Sequence, residues 1–148
     1  MENDVHYIKR CEVLAKEAAA KRDTPIGSVI TRGDEIIAGA FEGSKNKNDI
    51  TCQAELEAIR LAVKNLKTND LSGCVIYSTH EPCIICSYAI LFYKIKKVVY
   101  QHAVNYLGGN SSSMPLLTSK EVPPHWAEVP IIVHLKLLYK DTILNCKN

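Results

Sequence analysis

Two cysteines and one acid within residues 51–86 have the clearest chemical potential in this chain. Cys83 and Cys86 form a Pro-Cys-x-x-Cys motif with Pro82, and Glu55 lies near the start of a predicted helix. Two cysteines with this spacing at a helix start direct both sulphurs the same way, and the positive end of the helix dipole favours thiolates there. The pair is therefore a candidate metal site, and Glu55 is a candidate acid–base group.

The cysteine pair has three other interpretations. It could be a redox pair, one half of a structural zinc site, or two packed thiols. A redox pair would prefer a thioredoxin-like start of the chain, which this sequence lacks. A closed structural zinc site needs a second pair of ligands, and the sequence contains no other Cys-x-x-Cys. Glu55 alone could simply stabilise the helix dipole, so the functional interpretation depends on its order and separation from the cysteines.

The composition favours one folded domain over residues 1–148. A chain of this length can bury roughly 70% of its unfolded surface, and 47% of the residues are hydrophobic. No stretch reaches the roughly 20 apolar residues of a membrane span, and the polar, acidic N-terminus is unlike a signal peptide. We therefore expect a cytoplasmic protein whose six cysteines are reduced. The net charge of +2 argues against strong electrostatic binding of nucleic acid.

The elements that must position these side chains are predicted from hydrophobic periodicity and turn residues. They are, in order, a helix over 3–21, a hairpin of strands over 25–31 and 35–41, a polar loop over 42–50, a helix from Thr51 to about Leu66, a strand over 74–79, a helix over 83–93, a strand over 95–101, and a weaker strand over 130–138 followed by helical turns from Asp141. Thr51 is the predicted N-cap of the second helix. The strand–helix–strand unit implies a parallel strand pair with a right-handed crossover. The alternation of helices and strands predicts a layered α/β domain.

This order of elements and motifs resembles the cytidine and deoxycytidylate deaminase superfamily, the zinc nucleobase deaminases. It is closest to the tRNA adenosine deaminase and guanine deaminase branch of that superfamily. The resemblance covers about residues 5–107, and the segments that carry it are Thr24–Ile30, Asp49–Glu55, Glu81–Cys86 and Lys97–Tyr100. It implies a three-layer α/β/α sandwich with a central mixed sheet of about five strands, in a single cytidine deaminase-like domain.

The resemblance also implies a reaction. In this family a zinc ion held by one His and two Cys activates a water, and the zinc-bound hydroxide attacks the amino-bearing carbon of a nucleobase. A Glu shuttles the protons, and ammonia is released. Mapped onto this sequence, Cys83 and Cys86 are zinc ligands and Glu55 is the proton shuttle. The backbone near Ala54 and Glu81 would help to hold the base.

Gln53 stands where the family signature has its His ligand. A Gln amide oxygen is neutral like imidazole, but it is a poorer zinc donor. Cys52 could replace it, although adjacent helical residues point about 100° apart, so binding through Cys52 would turn Glu55 away or distort the helix start. Three possibilities stay open: zinc completed by Gln53 or a water, zinc bound through Cys52, and no stable metal.

Glu42 is the second departure, because the branch commonly has Asn at the end of this strand. Asn both donates and accepts hydrogen bonds, whereas an ionised Glu only accepts them. If Glu42 faces the pocket, the site should prefer a substrate ring that presents N–H or O–H donors, such as a guanine-like or amino-rich ring. The alternative is a solvated acid at the end of a strand.

The sequence thus predicts a zinc-dependent hydrolytic deaminase of a free nucleobase, nucleoside or related amino-heterocycle. A tRNA adenosine deaminase is one alternative, and a catalytically impaired deaminase fold, suggested by Gln53, is another. A nucleic-acid substrate is not favoured, because the C-terminal part carries few basic residues, namely Lys120, Lys136, Lys140 and Lys147. The resemblance also implies a homodimer, and we expect no association with a membrane.

Overall fold

Three α-helices, one short 3₁₀-helix (Leu116–Thr118) and five strands build the part of the chain that the computed structural model describes, residues 2–126 and 128–136. The elements are α1 (Glu2–Ala20), β1 (Gly27–Arg32), β2 (Glu35–Phe41), α2 (Ala54–Leu66), β3 (Cys74–His80), α3 (Ile84–Phe92), β4 (Lys97–His102) and β5 (Ile131–His134). The predicted elements up to β5 are all present, with ends shifted by a few residues. The helical turns predicted from Asp141 lie outside the described residues. No helix of the described residues is long and apolar enough to cross a membrane.

The strands form one mixed sheet in the order β2-β1-β3-β4-β5. β1 is antiparallel to β2 and to β3, whereas β4 is parallel to both β3 and β5. The prediction of a five-stranded mixed sheet is confirmed, and so is the parallel pairing of the two strands that flank α3. This pairing places the residues after β3 beside those after β4, where the site described below lies.

Alternate side chains of the central strands enter two separate cores, because successive residues of a strand point to opposite faces. The core on the α1 face contains Tyr7, Ile8, Cys11, Leu14, Val29, Tyr77 and Val99. The core on the opposite face contains Ile30, Ile76 and Val98 together with Ala58, Ile59 and Ala62 of α2 and Ile90 of α3. The helices therefore cover both faces of the sheet, as the predicted three-layer arrangement requires.

The start of α2 differs from the prediction. Thr51 does not cap this helix, because α2 begins at Ala54 and Gln53 is its N-cap residue. The Asp49 carboxylate instead accepts hydrogen bonds from the Thr51 amide and hydroxyl, at 2.9 and 2.7 Å. Thr51 therefore belongs to a turn that precedes the helix, and Glu55 becomes the second residue of α2.

Candidate active site

The starts of α2 and α3 bring three donor atoms together. Gln53 is the N-cap residue of α2, Cys83 is the N-cap residue of α3, and Cys86 lies in the first turn of α3. The Gln53 amide oxygen lies 3.2 Å from Sγ of Cys83 and 3.0 Å from Sγ of Cys86, and the two sulphurs are 4.0 Å apart. Residues from two distant segments therefore converge on one point.

These three atoms fit a zinc ion. With Zn–S distances of about 2.3 Å and Zn–O distances of about 2.0–2.2 Å, a tetrahedral site has ligand–ligand edges of about 3.6–3.8 Å. The two sulphurs are close to that separation, and the Gln53 oxygen needs to move outward by only about half an ångström. No group of three His, Cys, Asp or Glu side chains among the described residues could hold a metal. Gln53 is the side chain whose oxygen lies within 3.2 Å of both sulphurs. Three ligands leave the fourth position that catalytic zinc sites keep open.

Cys52 has a different environment. It is buried, and its backbone amide donates a 3.0 Å hydrogen bond to the Asp49 carbonyl. Burial, followed by the nearby charge of Asp49, raises the pKa of Cys52. Gln53 rather than Cys52 is thus the residue placed against the sulphurs of Cys83 and Cys86.

The two thiols of the cluster differ in acidity. The hydrogen bond from Cys86 is the largest influence on the pKa of Cys83, and it lowers that pKa. Burial acts in the opposite direction, but backbone amides at the start of α3 add to the lowering, so the pKa of Cys83 is about 6. The hydrogen bond with Cys83 and burial raise the pKa of Cys86 well above its ordinary value. Cys83 is therefore the more acidic thiol of the pair, and a thiolate is the form that binds a metal.

Glu55 lies beside this cluster and is only 4% exposed. Its Oε2 is 3.6 Å from Sγ of Cys86, and its Oε1 accepts a 2.7 Å hydrogen bond from the Ser78 hydroxyl. Burial raises the pKa of Glu55 to about 7, although the Ser78 hydrogen bond acts in the opposite direction. A carboxyl group with a pKa near neutrality can both take up and give back a proton, as general acid–base catalysis requires.

Ser78 is a residue of the site that the sequence does not reveal. It lies in β3, and its side chain points into the interior, where it contacts Glu55. A buried hydroxyl almost always has a hydrogen-bond partner. In the sequence, Ser78 is recognisable only as a polar residue inside a predicted buried strand, and this pattern does not identify its hydrogen-bond partner.

Glu42 follows β2 and reaches the start of α2. Its Oε1 accepts a 3.0 Å hydrogen bond from the Ala54 amide, and its Oε2 accepts a 2.5 Å hydrogen bond from the Ser44 hydroxyl. Glu42 is 5% exposed, so it is not the solvated strand-end acid considered as an alternative. The carboxylate is close enough to Glu55 to contribute to the raised pKa of that residue.

The loop after β4 is fastened to Glu81. The Glu81 carboxylate accepts hydrogen bonds of 2.5–3.1 Å from the amides of Val104, Asn110 and Ser111 and from the Ser111 hydroxyl. Burial would raise the pKa of Glu81, but these hydrogen bonds together lower it. We call residues 104–111 the Glu81 loop.

The Glu81 loop also contacts the backbone at the start of α3. Gly108 pairs with Cys83 in an isolated β-bridge, and the Gly109 amide donates a 2.8 Å hydrogen bond to the Pro82 carbonyl. A Cβ atom at Gly108 would lie 2.5 Å from Oε2 of Glu81. Only glycine permits this approach, which places the loop directly beside Cys83.

The predicted contacts of Glu42, Ala54 and Glu81 with a base stay predictions. The amide of Ala54 donates to Glu42, and the amide of Glu81 donates to the His102 carbonyl at 2.8 Å. Both amides therefore already have partners within the protein, and both carboxylates bind protein groups.

Comparisons with known proteins agree with this arrangement. A family model described as the cytidine and deoxycytidylate deaminase zinc-binding region matches residues 1–102. The chain is 39% identical over 112 residues to the tRNA-specific adenosine deaminase of Aquifex aeolicus, a match that covers 76% of this chain and 74% of that protein. It is 37% identical over 99 residues to the guanine deaminase of Bacillus subtilis, covering 66% of this chain and 64% of that protein.

Solved structures show the same similarity. A structure from studies of A-to-I editing by tRNA:A34 deaminases has a TM-score of 0.80 and 27% identity, covering 88% of this chain and 98% of that chain. The structure of guanine deaminase from Bacillus subtilis has a TM-score of 0.65 and 28% identity, covering 96% of this chain and 90% of that chain. With the converging donors and the buried acid, these matches show that the chain belongs to the cytidine and deoxycytidylate deaminase family of zinc-binding hydrolytic deaminases.

Proposed function

We propose that the protein deaminates a free nucleobase, a nucleoside or a related amino-heterocycle. The observation that carries the proposal is the buried Glu55 carboxyl group, whose Oε2 lies 3.6 Å from one sulphur of the three-donor cluster. Gln53, Cys83 and Cys86 would hold zinc, which when bound lowers the pKa of a water to near neutrality. The net reaction exchanges the ring amino group for oxygen and releases ammonia.

Glu55 carries the protons in this scheme. Ser78 fixes Oε1, so Oε2 is the oxygen that faces the donor cluster. Glu55 takes the first proton of the attacking water and delivers it to the ring nitrogen. It then takes the second proton of that water and delivers it to the amino group, which leaves as ammonia as the C–N bond breaks and the ring C=O bond forms. The burial of Glu55 keeps bulk water from competing for these protons.

The Glu42 carboxylate favours a substrate whose ring presents hydrogen-bond donors. A carboxylate offers about four lone-pair sites, and two of those of Glu42 are used by Ala54 and Ser44. The remaining sites can accept N–H groups of a neutral base, whereas a phosphate close to this carboxylate would be repelled. Within the same proposal, Ala54 and Glu81 shape the edge of the base pocket, Ala54 through Glu42 and Glu81 through its loop.

An adenosine within RNA is the second candidate substrate, and a group of basic side chains near the end of α1 favours it. These side chains are Lys21, Arg22, Lys45 and Lys47. The Asn46 side chain donates a 2.9 Å hydrogen bond to the Lys21 carbonyl, which holds residues 42–50 against the end of α1. Lysine and arginine side chains on one surface are suited to phosphate contacts, and several relatives are named as tRNA-specific adenosine deaminases.

One assay separates these candidates. The zinc content per chain and the release of ammonia are measured for guanine, adenine, cytosine, their nucleosides and a tRNA anticodon stem-loop. We expect turnover of a free base or nucleoside, whereas turnover of the RNA alone would support the second candidate. Glu55→Gln is the inactive control. If the wild-type protein has neither zinc nor turnover and Gln53→His restores both, the protein is an impaired enzyme. If Gln53→His also has neither zinc nor turnover, the small-molecule assignment is overturned.

We also propose that the protein has a single domain and is cytoplasmic. We propose further that it forms a homodimer through the outer face of α3. Tyr88 and Phe92 are 54% and 45% exposed, and Trp126 packs edge-on against both, with ring centroids 5.2 and 6.0 Å apart. Clustered aromatic side chains are typical of interfaces. Analytical ultracentrifugation should show a dimer that Tyr88→Glu dissociates, and a monomeric wild-type protein would contradict this part of the proposal.

A further inference from the structure

We propose that Glu42 is a positioning residue that anchors the first turn of α2 and thereby holds Gln53, the residue just before that turn, where its side chain can serve as a metal ligand. This inference rests on the proposed function, because it assumes a metal site formed by Gln53, Cys83 and Cys86. It assigns to Glu42 a role that is separate from any contact with substrate.

The N-cap residue of α2, Gln53, does not cap the helix with its side chain. The first amides of a helix have no partner within the helix, and the side chain of the N-cap residue commonly accepts a hydrogen bond from one of them. Gln53 occupies this position with φ −72° and ψ 149°, but its side chain makes no capping hydrogen bond. Its amide oxygen instead lies within 3.2 Å of both sulphurs. Gln53 cannot cap the helix and face the cysteines at the same time.

Glu42 accepts a hydrogen bond from the first amide of α2, the one that an N-cap side chain does not reach. Its Oε1 lies 3.0 Å from the amide nitrogen of Ala54, the first residue of α2. Ala54 is inaccessible to solvent, so water cannot satisfy this amide. A residue outside the helix thus provides the anchor at its start.

Two further hydrogen bonds hold Glu42 in this position. The Ser44 hydroxyl donates to Oε2, and the Gly43 amide donates a 3.0 Å hydrogen bond to the Cys52 carbonyl, immediately before Gln53. The segment that follows β2 is therefore joined to the entry of α2 by both backbone and side chain. Removing the carboxylate should allow the first turn to shift.

Ala54 lies between the two residues whose placement matters. Gln53 precedes it and Glu55 follows it, so a shift of the Ala54 amide moves the donor oxygen and the acid together. Both positions that depart from the family pattern, Glu42 and Gln53, then belong to one arrangement. Partners that orient metal ligands typically contribute about 10- to 100-fold in metal affinity.

The test measures the affinity of the full chain for Co²⁺, whose thiolate absorption bands report binding to the cysteines. We expect Glu42→Ala to weaken Co²⁺ binding about 10- to 100-fold. Glu42→Gln retains an acceptor oxygen for the Ala54 amide and should stay within a few-fold of the wild type. Asp70→Ala, which removes a carboxylate that accepts the Ser72 amide in a distant turn, is the control and should bind normally.

The outcomes separate this inference from the proposed function. A wild-type protein that binds no Co²⁺ would overturn the metal site and the inference together. Normal binding by the wild type and by a folded Glu42→Ala variant would overturn the inference alone. Equal losses in Glu42→Ala and Glu42→Gln would show that charge, not the hydrogen bond, is responsible, and would also overturn it. If Glu42→Ala does not fold, Ser44→Ala carries the test: weakened binding supports the inference, and unchanged binding contradicts it.

Discussion

The hydroxyl of Ser78 donates a 2.7 Å hydrogen bond to Oε1 of Glu55 in the interior of the protein. Ser78 is 1% exposed, so no water can replace its hydroxyl. The bond fixes the rotation of the carboxyl group and leaves Oε2 directed toward Cys86. A single hydroxyl on β3 therefore sets the orientation of an acid that α2 provides.

Ser78→Ala should damage both stability and turnover. Removing the hydroxyl leaves a buried carboxyl oxygen without its donor, which lowers the free energy of unfolding by about 1–3 kcal/mol. The carboxyl group can then rotate, and misplacement of a catalytic group lowers turnover by roughly 10- to 100-fold. Urea unfolding and the rate of ammonia release measure the two effects.

Ser28→Ala is the matched control for this prediction. Ser28 is fully buried and lies opposite Ser78 in the β1–β3 pair, but its hydroxyl donates to the Tyr77 carbonyl at 2.7 Å. We expect Ser28→Ala to lose stability while keeping its turnover. An equal loss of turnover in both variants would show that Ser78 acts only through the packing of the sheet.

Glu55→Gln should separate catalysis from stability. The variant cannot exchange protons, so turnover should fall by about 10²- to 10⁴-fold. Its stability should not fall, because a buried amide is easier to accommodate than a carboxyl group that must ionise. Glu57→Gln, two residues later in α2 and paired with Arg60, is the control and should retain turnover. Turnover by Glu55→Gln at the wild-type rate would remove Glu55 from the mechanism.

The elements of this fold could be predicted because their signals are local. Apolar spacing and turn residues mark the helices and strands, and the Pro-Cys-x-x-Cys motif spans only residues 82–86. The error at Thr51 was also local: Asp49 competes for the Thr51 hydroxyl, and periodicity does not report that competition. The helix start consequently moved to Ala54.

The contacts that assemble the site could not be predicted, because they join distant segments. Ser78 meets Glu55 only after β3 and α2 are packed together, and the partners of Glu81 come from a loop that follows the next strand. The approach of Gln53 to Cys83 depends on the relative placement of two helix starts, and it was expected only through the family resemblance. No spacing along the chain encodes these distances.

Asp23 should make the loop over residues 42–50 sensitive to acid. Its buried carboxylate accepts hydrogen bonds from the amides of Thr24 and Asn46, at 2.8 and 3.0 Å. Burial alone would raise the pKa of Asp23, but these hydrogen bonds lower it below the ordinary value of 3.8. The pKa of Asp23 is lower in the folded protein than in the unfolded chain. The hydrogen bonds of its carboxylate therefore stabilise the fold fully at a pH above the unfolded-state pKa, and this stabilisation is lost as the pH falls through the folded-state pKa.

Hydrogen exchange tests the behaviour of this loop. The protection factor of the Asn46 amide should be constant near neutral pH and should fall below about pH 4, the usual range of an Asp carboxyl. Asp23→Asn should show low protection at every pH. Asp34→Asn, in the exposed β1–β2 turn, is the control and should behave as the wild type. Acid-independent protection in the wild type would rule out Asp23 as the anchor.

Glu81→Gln should release the Glu81 loop from the start of α3. The carboxylate accepts four hydrogen bonds, three from amides and one from the Ser111 hydroxyl. A Gln oxygen can accept at most two of them, and its NH₂ group would face the remaining donors. The free energy of unfolding should therefore fall by about 1–3 kcal/mol, and the Asn110 amide should lose protection from exchange. Glu35→Gln, at the exposed start of β2, should leave both quantities unchanged. Retained protection at Asn110 in Glu81→Gln would show that the hydrogen bond between Gly109 and Pro82 is sufficient to hold the loop.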